Sequence, residues 1–189
     1  MTWRGPASPN PARVRVWDRP VRLLHWLLVA CVIAAWVTTL GSPSWHEPAG
    51  YAAAGVVFAR VVWGLVGSRH ARFANFIHGP AATVDYGARV LARREPRHLG
   101  HNPLGGWMVL ALLGCVVGLG LTGWLYKHTD HFWGEAWLEA VHEALAWLLL
   151  ALAALHVVGV AFTSVRHREN LVRAMVDGTK RPPSPGDID

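Results

Sequence analysis

Four long apolar segments constrain the fold of this chain more than any other feature of its sequence. They cover residues 21–40, 49–66, 104–125 and 138–162. Each approaches the roughly 20 mostly apolar residues that a helix needs to cross the hydrocarbon core of a bilayer. Because 52% of the 189 residues are hydrophobic and only 16% are charged, a soluble fold would have to bury nearly every side chain. The sequence therefore predicts an all-α integral membrane protein, a four-helix bundle.

The positions of the basic residues predict the orientation of this bundle. Sixteen of the eighteen Lys and Arg residues flank the spans on one side: Arg4, Arg13, Arg15, Arg19, Arg22, Arg69, Arg72, Arg89, Arg93, Arg94, Arg97, Arg166, Arg168, Arg173, Lys180 and Arg181. Of the other two, Arg60 lies within the second span and Lys127 lies on the opposite side. Since basic flanks stay in the cytoplasm, both termini are predicted to be cytoplasmic. The same distribution argues against nucleic-acid binding, because phosphate-binding residues line a groove or one helix face.

The polar parts of the chain divide it into three regions. We expect a cytoplasmic N-terminal segment at residues 1–20, a transmembrane domain at 21–166 and a cytoplasmic C-terminal tail at 167–189. The cytoplasmic loop at 67–103 contains AATVDYGARVLARR, which is either a short amphipathic helix on the inner leaflet or a solvated basic loop. The first residues lack the apolar core and the small-residue cleavage site of a signal peptide, so none is predicted.

Four of the eleven histidines lie in or at the spans, and the other seven lie in loops where a solvated role is the simplest interpretation. In one loop, His128 and His131 are three residues apart, which is a weak metal motif without a third ligand. The histidines in or at the spans are His25, His46, His142 and His156. Taken singly, each could be hydrogen-bonded to a neighbouring helix, but together they form a pattern.

Depth sorts these four histidines into two pairs. His25 and His156, the inner pair, lie near the cytoplasmic ends of the first and fourth spans, whereas His46 and His142, the outer pair, lie near the outer ends of the second and fourth. His142 and His156 are fourteen residues apart, so they share a helix face about 21 Å apart along the axis. Neutral imidazole is a good axial ligand for haem iron. The pattern favours two flat macrocycles, one in each leaflet.

Six motifs extend this interpretation over residues 14–181. They are VRVWDRPVRLLHW, HEPAGY, RVVWGLVGSRHARF, GHNPLGGWMVLALL, the pair VHEALA and LHVVGV, and ENLVRAMVDGTKR. Together they resemble the bacterial di-haem cytochrome b family, which includes the cytochrome b subunit of nickel–iron hydrogenases and the small cytochrome b-561 proteins. The resemblance implies two haem b groups, an inner one on His25 and His156 and an outer one on His46 and His142. Arg60 matches an Arg of the family and would either neutralise propionates of the inner haem or snorkel towards the cytoplasmic surface.

This resemblance also implies a function. With His on both sides of each iron, the haems would pass single electrons rather than bind oxygen. We expect a respiratory electron-transfer protein, or a subunit of an oxidoreductase complex, in the bacterial inner membrane. It would connect quinone to a periplasmic partner such as a c-type cytochrome or a dehydrogenase or hydrogenase subunit, with His101 and Arg97 as candidates for proton exchange with quinone. The alternatives are a stand-alone oxidoreductase that acts on a small species such as superoxide, and a non-redox anchor or transporter component.

Overall fold

A computed structural model describes residues 13–189, so the predictions for residues 1–12, including the topogenic role of Arg4, lie outside the described residues. The helices are α1 (Arg19–Gly41), α2 (His46–Val66), α3 (Pro80–Leu91), α4 (Pro103–His128), α5 (Ala136–Arg166) and α6 (Leu171–Asp177). Two short strands are β1 (Val14–Arg15) and β2 (Thr179–Lys180). Four of the helices, α1, α2, α4 and α5, are long and apolar enough to cross a membrane, which confirms the predicted helical membrane bundle.

Local polar residues determine where two of the long helices begin. Asp18 precedes α1, and its carboxylate accepts a hydrogen bond of 2.8 Å from the backbone N–H of Val21. Asn102 precedes α4 and accepts one of 2.7 Å from the N–H of Gly105. Such caps satisfy N–H groups that the first turn of a helix leaves free, at a point where lipid offers no alternative partner. α3 shows that part of the predicted loop is helical.

The order of packing leaves α5 apart from the first two helices. Close backbone contacts join α1 to α2, α2 to α4, and α4 to α5. Across residues 13–189, α5 makes at most a few such contacts with α1 or α2. A small apolar core around Val57, Leu113, Val116 and Leu149 joins α2, α4 and α5. Most other large apolar side chains of the spans face outward, as lipid-facing residues should.

The C-terminal region folds back over one end of the bundle. We call this the basic end; it is where α1 and α4 begin and where α2 and α5 finish. β1 pairs with β2 in antiparallel register, Val14 opposite Lys180. The carbonyl of Gly178 accepts hydrogen bonds from the N–H groups of Val16 and Trp17, at 2.9 and 3.1 Å. Gly178 has a φ of 84°, and a Cβ there would lie 2.6 Å from the carbonyl oxygen of Trp17, so only glycine fits.

A buried ion-pair network holds this C-terminal region in place. The guanidinium of Arg97, only 6% exposed, donates to both carboxylate oxygens of Glu169, at 2.9 and 3.1 Å, and also to Asp187. Beside it, the backbones of Leu99 and Ile188 are hydrogen-bonded through Leu99 N–H to Ile188 O at 2.8 Å. The segment at 167–189, predicted as a C-terminal tail, forms an ordered cap on the basic end, and Arg97 has a structural role in it.

The same contacts shift the titration of the two carboxylates. Burial alone would raise the pKa of Glu169, but hydrogen bonds from Arg97 and from the backbone N–H of Arg181 more than offset it and lower that pKa. For Asp187, burial is likewise outweighed by the N–H of Ser184 and by Arg97, which lower its pKa. When folding lowers the pKa of a carboxyl group, the ionised group stabilises the fold at pH values above its pKa in the unfolded state. This stabilisation is lost as the pH falls through the pKa of the group in the folded state.

We therefore expect acid to loosen the basic-end cap. From pH 6 down to 3, through and below the ordinary values of 4.5 for Glu and 3.8 for Asp, protonation removes the partners of Arg97. Hydrogen exchange at the amides of Leu99 and Ile188, corrected for intrinsic rates, should accelerate over this range in detergent-solubilised protein.

The matched control is Glu169→Gln, which removes one titrating partner. Its exchange should already be faster at pH 6 and should change less on acidification. If the wild-type amides exchange at the same corrected rate at pH 6 and at pH 3, the network does not hold the cap.

Candidate functional site

The structure brings the predicted outer pair together at the end of the bundle opposite the cap, which we call the acidic end because it carries Glu47, Asp130, Glu135 and Glu139. His46 begins α2 and His142 lies in the second turn of α5. Their ring centroids are 6.1 Å apart, with 72° between the ring planes. The two imidazoles thus face each other across the gap between α2 and α5.

The inner pair has the same arrangement nearer the basic end. His25 on α1 and His156 on α5 have ring centroids 6.4 Å apart and planes at 57°. Since His142 and His156 share a face of α5, the two pairs lie about 21 Å apart along that helix. Both pairs bridge α5 to a helix with which it makes few close backbone contacts.

These distances fit one metal ion between the two rings of each pair. An imidazole nitrogen lies roughly 2 Å from the metal that it binds, and about 1 Å from the centre of its own ring, so two rings on opposite sides of one metal have centroids roughly 6 Å apart. Direct stacking of two imidazoles needs a shorter distance, and a hydrogen bond between them would draw the nitrogens together. The geometry suits axial ligation from both sides.

Hydrogen bonds orient both rings of the outer pair. Nδ1 of His46 lies 2.9 Å from the carbonyl oxygen of Ala35, which can only accept, so Nδ1 carries the proton. Nδ1 of His142 lies 2.8 Å from the hydroxyl of Thr122. That hydroxyl directs its own hydrogen to the carbonyl of Gly118 at 2.8 Å, so it accepts from His142. In both rings Nε2 is left unprotonated, which is the form that binds a metal.

The ring of His142 lies against α4 at Gly123. A Cβ added to this glycine would lie 3.4 Å from the ring, at ordinary van der Waals distance. At Gly50, Gly55, Gly114 and Gly159, an added Cβ would meet no atom of the described residues within 4 Å.

Arg60 lies on the buried face of α2, towards the basic end. Its side chain is 7% exposed, its Nη2 donates to the carbonyl of Ala71 at 3.2 Å, and its guanidinium carbon lies 5.0 Å from the centre of the Phe73 ring. Nη1 is buried without a hydrogen-bond partner in residues 13–189. The guanidinium is therefore covered by protein and retains one free donor group.

Two of the histidines outside the pairs lie beside carboxylates. His70 contacts the carboxylate of Asp189 at 3.0 Å, and His128 contacts that of Glu47 at 3.0 Å. No group of three or more His, Cys, Asp or Glu side chains within residues 13–189 is arranged to hold a metal ion. The weak metal motif at His128 and His131 therefore gains no support from the described part of the chain.

Comparison with known proteins decides the family. The model of the prokaryotic cytochrome b561 family matches residues 16–178, which is most of the chain. The chain belongs to this family. Its members are membrane b-type cytochromes, so this protein carries haem b and takes part in electron transfer, as a multi-pass protein of the bacterial inner membrane. This assignment favours a redox function over the alternative of a non-redox anchor.

Similar proteins are identical to this chain at about a quarter of the aligned positions. A protein of Azotobacter chroococcum is 26% identical and one of Azotobacter vinelandii 25%, each alignment covering 87% of both chains. A protein of Rhodobacter capsulatus is 26% identical over 87% of this chain and 80% of its own. All three are described as a probable Ni/Fe-hydrogenase B-type cytochrome subunit.

The sequence interpretation did not single out Thr122, the partner of His142, although it carries the only hydroxyl group in residues 104–125. Thr122→Val keeps the shape of the side chain and removes the acceptor for His142 Nδ1–H. Because outer-shell partners of metal ligands typically contribute 10–100-fold in affinity, we expect roughly tenfold weaker haem retention at one of the sites. Haem content after dilution, measured by absorbance, tests this.

Thr39→Val is the matched control, because the Thr39 hydroxyl also bonds a backbone carbonyl of its own helix, that of Trp36 at 2.7 Å, which accepts from neither ring of the outer pair. Its haem retention should equal that of the wild type. Equal retention in both variants would mean that Thr122 does not orient His142.

Proposed function

We propose that this cytochrome holds two haem b groups and carries electrons between quinone and a redox partner at the acidic end. The inner haem would lie between His25 and His156, and the outer haem between His46 and His142. The observation that supports this most strongly is that both imidazole pairs have the spacing of two axial ligands, 6.4 and 6.1 Å, and bridge the same gap. Haem iron supplies a reversible one-electron couple.

The side chains of the protein have three tasks in this mechanism. The four imidazoles would hold the two haem irons, one pair for each, and would leave neither iron free to bind oxygen. Thr122 and the carbonyl of Ala35 fix the outer rings in the tautomer that binds metal. Apolar side chains of α1, α2 and α5 would surround the haems, and Arg60 would supply a buried positive charge on the basic-end side.

The relatives support a choice of redox partner. They are described as probable cytochrome subunits of Ni/Fe hydrogenases, so we propose a hydrogenase, another dehydrogenase subunit or a c-type cytochrome as the partner of this chain. Such a partner would dock at the acidic end, beside the outer pair. Quinone would react at the opposite side of the membrane, near the inner pair.

This proposal requires the basic end to face the cytoplasm, as the distribution of Lys and Arg favours. Alkaline phosphatase inserted between Thr129 and Glu135 should be active in cells, and the same enzyme fused after Asp189 should be inactive. The reverse pattern would place the acidic end in the cytoplasm and overturn the proposed side of docking.

The ligand assignment is tested by removing each imidazole in turn. The purified wild type should contain about two haems per chain and show a reduced b-type spectrum. His25→Ala and His156→Ala should both remove the inner haem, whereas His46→Ala and His142→Ala should both remove the outer one. Haem quantitation together with potentiometric titration distinguishes the two haems, because substitution of either histidine of a pair should abolish the same redox step.

His131→Ala and His167→Ala are controls, because both rings lie outside the pairs. They should keep both haems. Unchanged haem content in all four pair variants would exclude this assignment of ligands, while leaving the family assignment intact.

A further inference from the structure

Three buried nitrogen groups at the basic end, on Arg60, His101 and Lys180, make no ion pair with a carboxylate within residues 13–189. Nη1 of Arg60 and Nδ1 of His101 are both inaccessible to solvent and without a hydrogen-bond partner in residues 13–189. Lys180 is 4% exposed, and within the same residues its ammonium group has no ion pair and only a long contact of 3.5 Å to the carbonyl of His98. A cation buried without an anion is costly, so such a site calls for a negatively charged ligand.

Aromatic rings connect Arg60 and His101 into one wall. The guanidinium of Arg60 lies over Phe73, whose ring centroid is 5.7 Å from that of Phe76. Phe76 in turn lies 4.5 Å from the ring of His101. These rings shield the free donors of Arg60 and His101 from water, which strengthens any bond that they make to an anion.

Trp17 extends the wall from His101 to Lys180. Its ring is 4.7 Å from that of His101, and the Lys180 ammonium lies 5.5 Å from its centre. Burial, together with the charges of Arg60 and Lys180, lowers the pKa of His101 to about 3, so this imidazole is neutral in a strongly positive environment. Burial also lowers the pKa of Lys180 to about 8, which leaves it mostly protonated at neutral pH.

The neighbouring carboxylates are already occupied by other groups. Glu169 and Asp187 are bound by Arg97. Asp18 lies near Arg60, but its Oδ1 accepts from Val21 and its Oδ2 accepts from the indole of Trp63. Within residues 13–189, Asp18 and Glu169 are close enough for their charges to act on Arg60 and Lys180, but neither makes an ion-pair contact with them. An external anion would therefore bond the free donors directly.

This site lies directly below the inner pair. Trp63, one turn beyond Arg60 on α2, bonds Asp18 at the start of α1, so Arg60 lies between the levels of Asp18 and His25. His101 is close enough to His156 for the charge of that ring to affect it. The free donors thus lie between the inner imidazoles and the basic-end cap.

We propose that Arg60, His101 and Lys180 form a carboxylate clamp for the propionate groups of the inner haem. This inference rests on the proposed function, because it needs a haem between His25 and His156. Arg60 was expected in this role from the sequence; the structure adds His101 and Lys180, one from the start of α4 and one from β2. The clamp makes the C-terminal cap part of the cofactor site.

The test uses the full chain with His46→Ala, which leaves only the inner pair. The apoprotein is reconstituted with haem and, separately, with haem whose propionates are methyl esters. The His46→Ala protein should bind the esterified haem roughly tenfold more weakly than free haem, which is the loss expected for one charge-assisted hydrogen bond. Lys180→Met and His101→Leu should each reduce the ratio of the affinities for free and esterified haem towards one. The control is Arg89→Met, which replaces an exposed Arg at the same end that is paired with Asp85, and it should leave this ratio unchanged.

Potentiometric titration of the native haem gives a second readout. Lys180→Met should lower the midpoint potential of the inner haem, because a cation near the iron favours the reduced state. Two outcomes would overturn the clamp. In the first, Lys180→Met and His101→Leu leave both the preference for free propionates and the midpoint potential unchanged. In the second, these variants lose binding of a quinone analogue while their haem binding is unaltered. Absence of haem from the wild type would instead overturn the proposed function itself.

Discussion

The separation of α5 from α1 and α2 is the constraint on which the remaining structure depends. Close packing runs from α1 through α2 and α4 to α5, so the first and last spans are joined mainly by side chains that reach across a gap. In lipid, apolar side chains gain little by packing on one another instead of on acyl chains. Packing on α4 holds α5 in the bundle, and the two imidazole pairs add specific contacts across the gap to α1 and α2.

The two ends of this gap differ in their chemistry. Around the outer pair, a hydroxyl and a carbonyl accept protons from the imidazoles and make them more electron-rich ligands. On the basic-end side of the inner pair, Arg60 and His101 have buried nitrogen groups without a hydrogen-bond partner in the described residues. Electron-rich ligands stabilise the oxidised metal, whereas nearby cations stabilise the reduced one. The surroundings of the two proposed haems therefore favour different potentials.

Much of the fold was predictable because it follows from local patterns. The four apolar runs gave helix ends within four residues of those in the structure, and helix depth alone selected which imidazoles lie together. The cap was not predictable, because Arg97 pairs with Glu169 and Asp187, which lie more than 70 residues away in the sequence. The tail also has no periodic pattern that indicates which residues it contacts. The role of the imidazoles as haem ligands stays a prediction.

The pairing of β1 with β2 also sets an order of events during synthesis. A ribosome delivers Thr179 and Lys180 only after all four spans have been translated, so the bundle can insert into the bilayer with its basic end still uncovered. The hydrogen bonds from Val16 and Trp17 to Gly178 can therefore form only after the spans have been made, and a chain that stops before residue 178 would lack them.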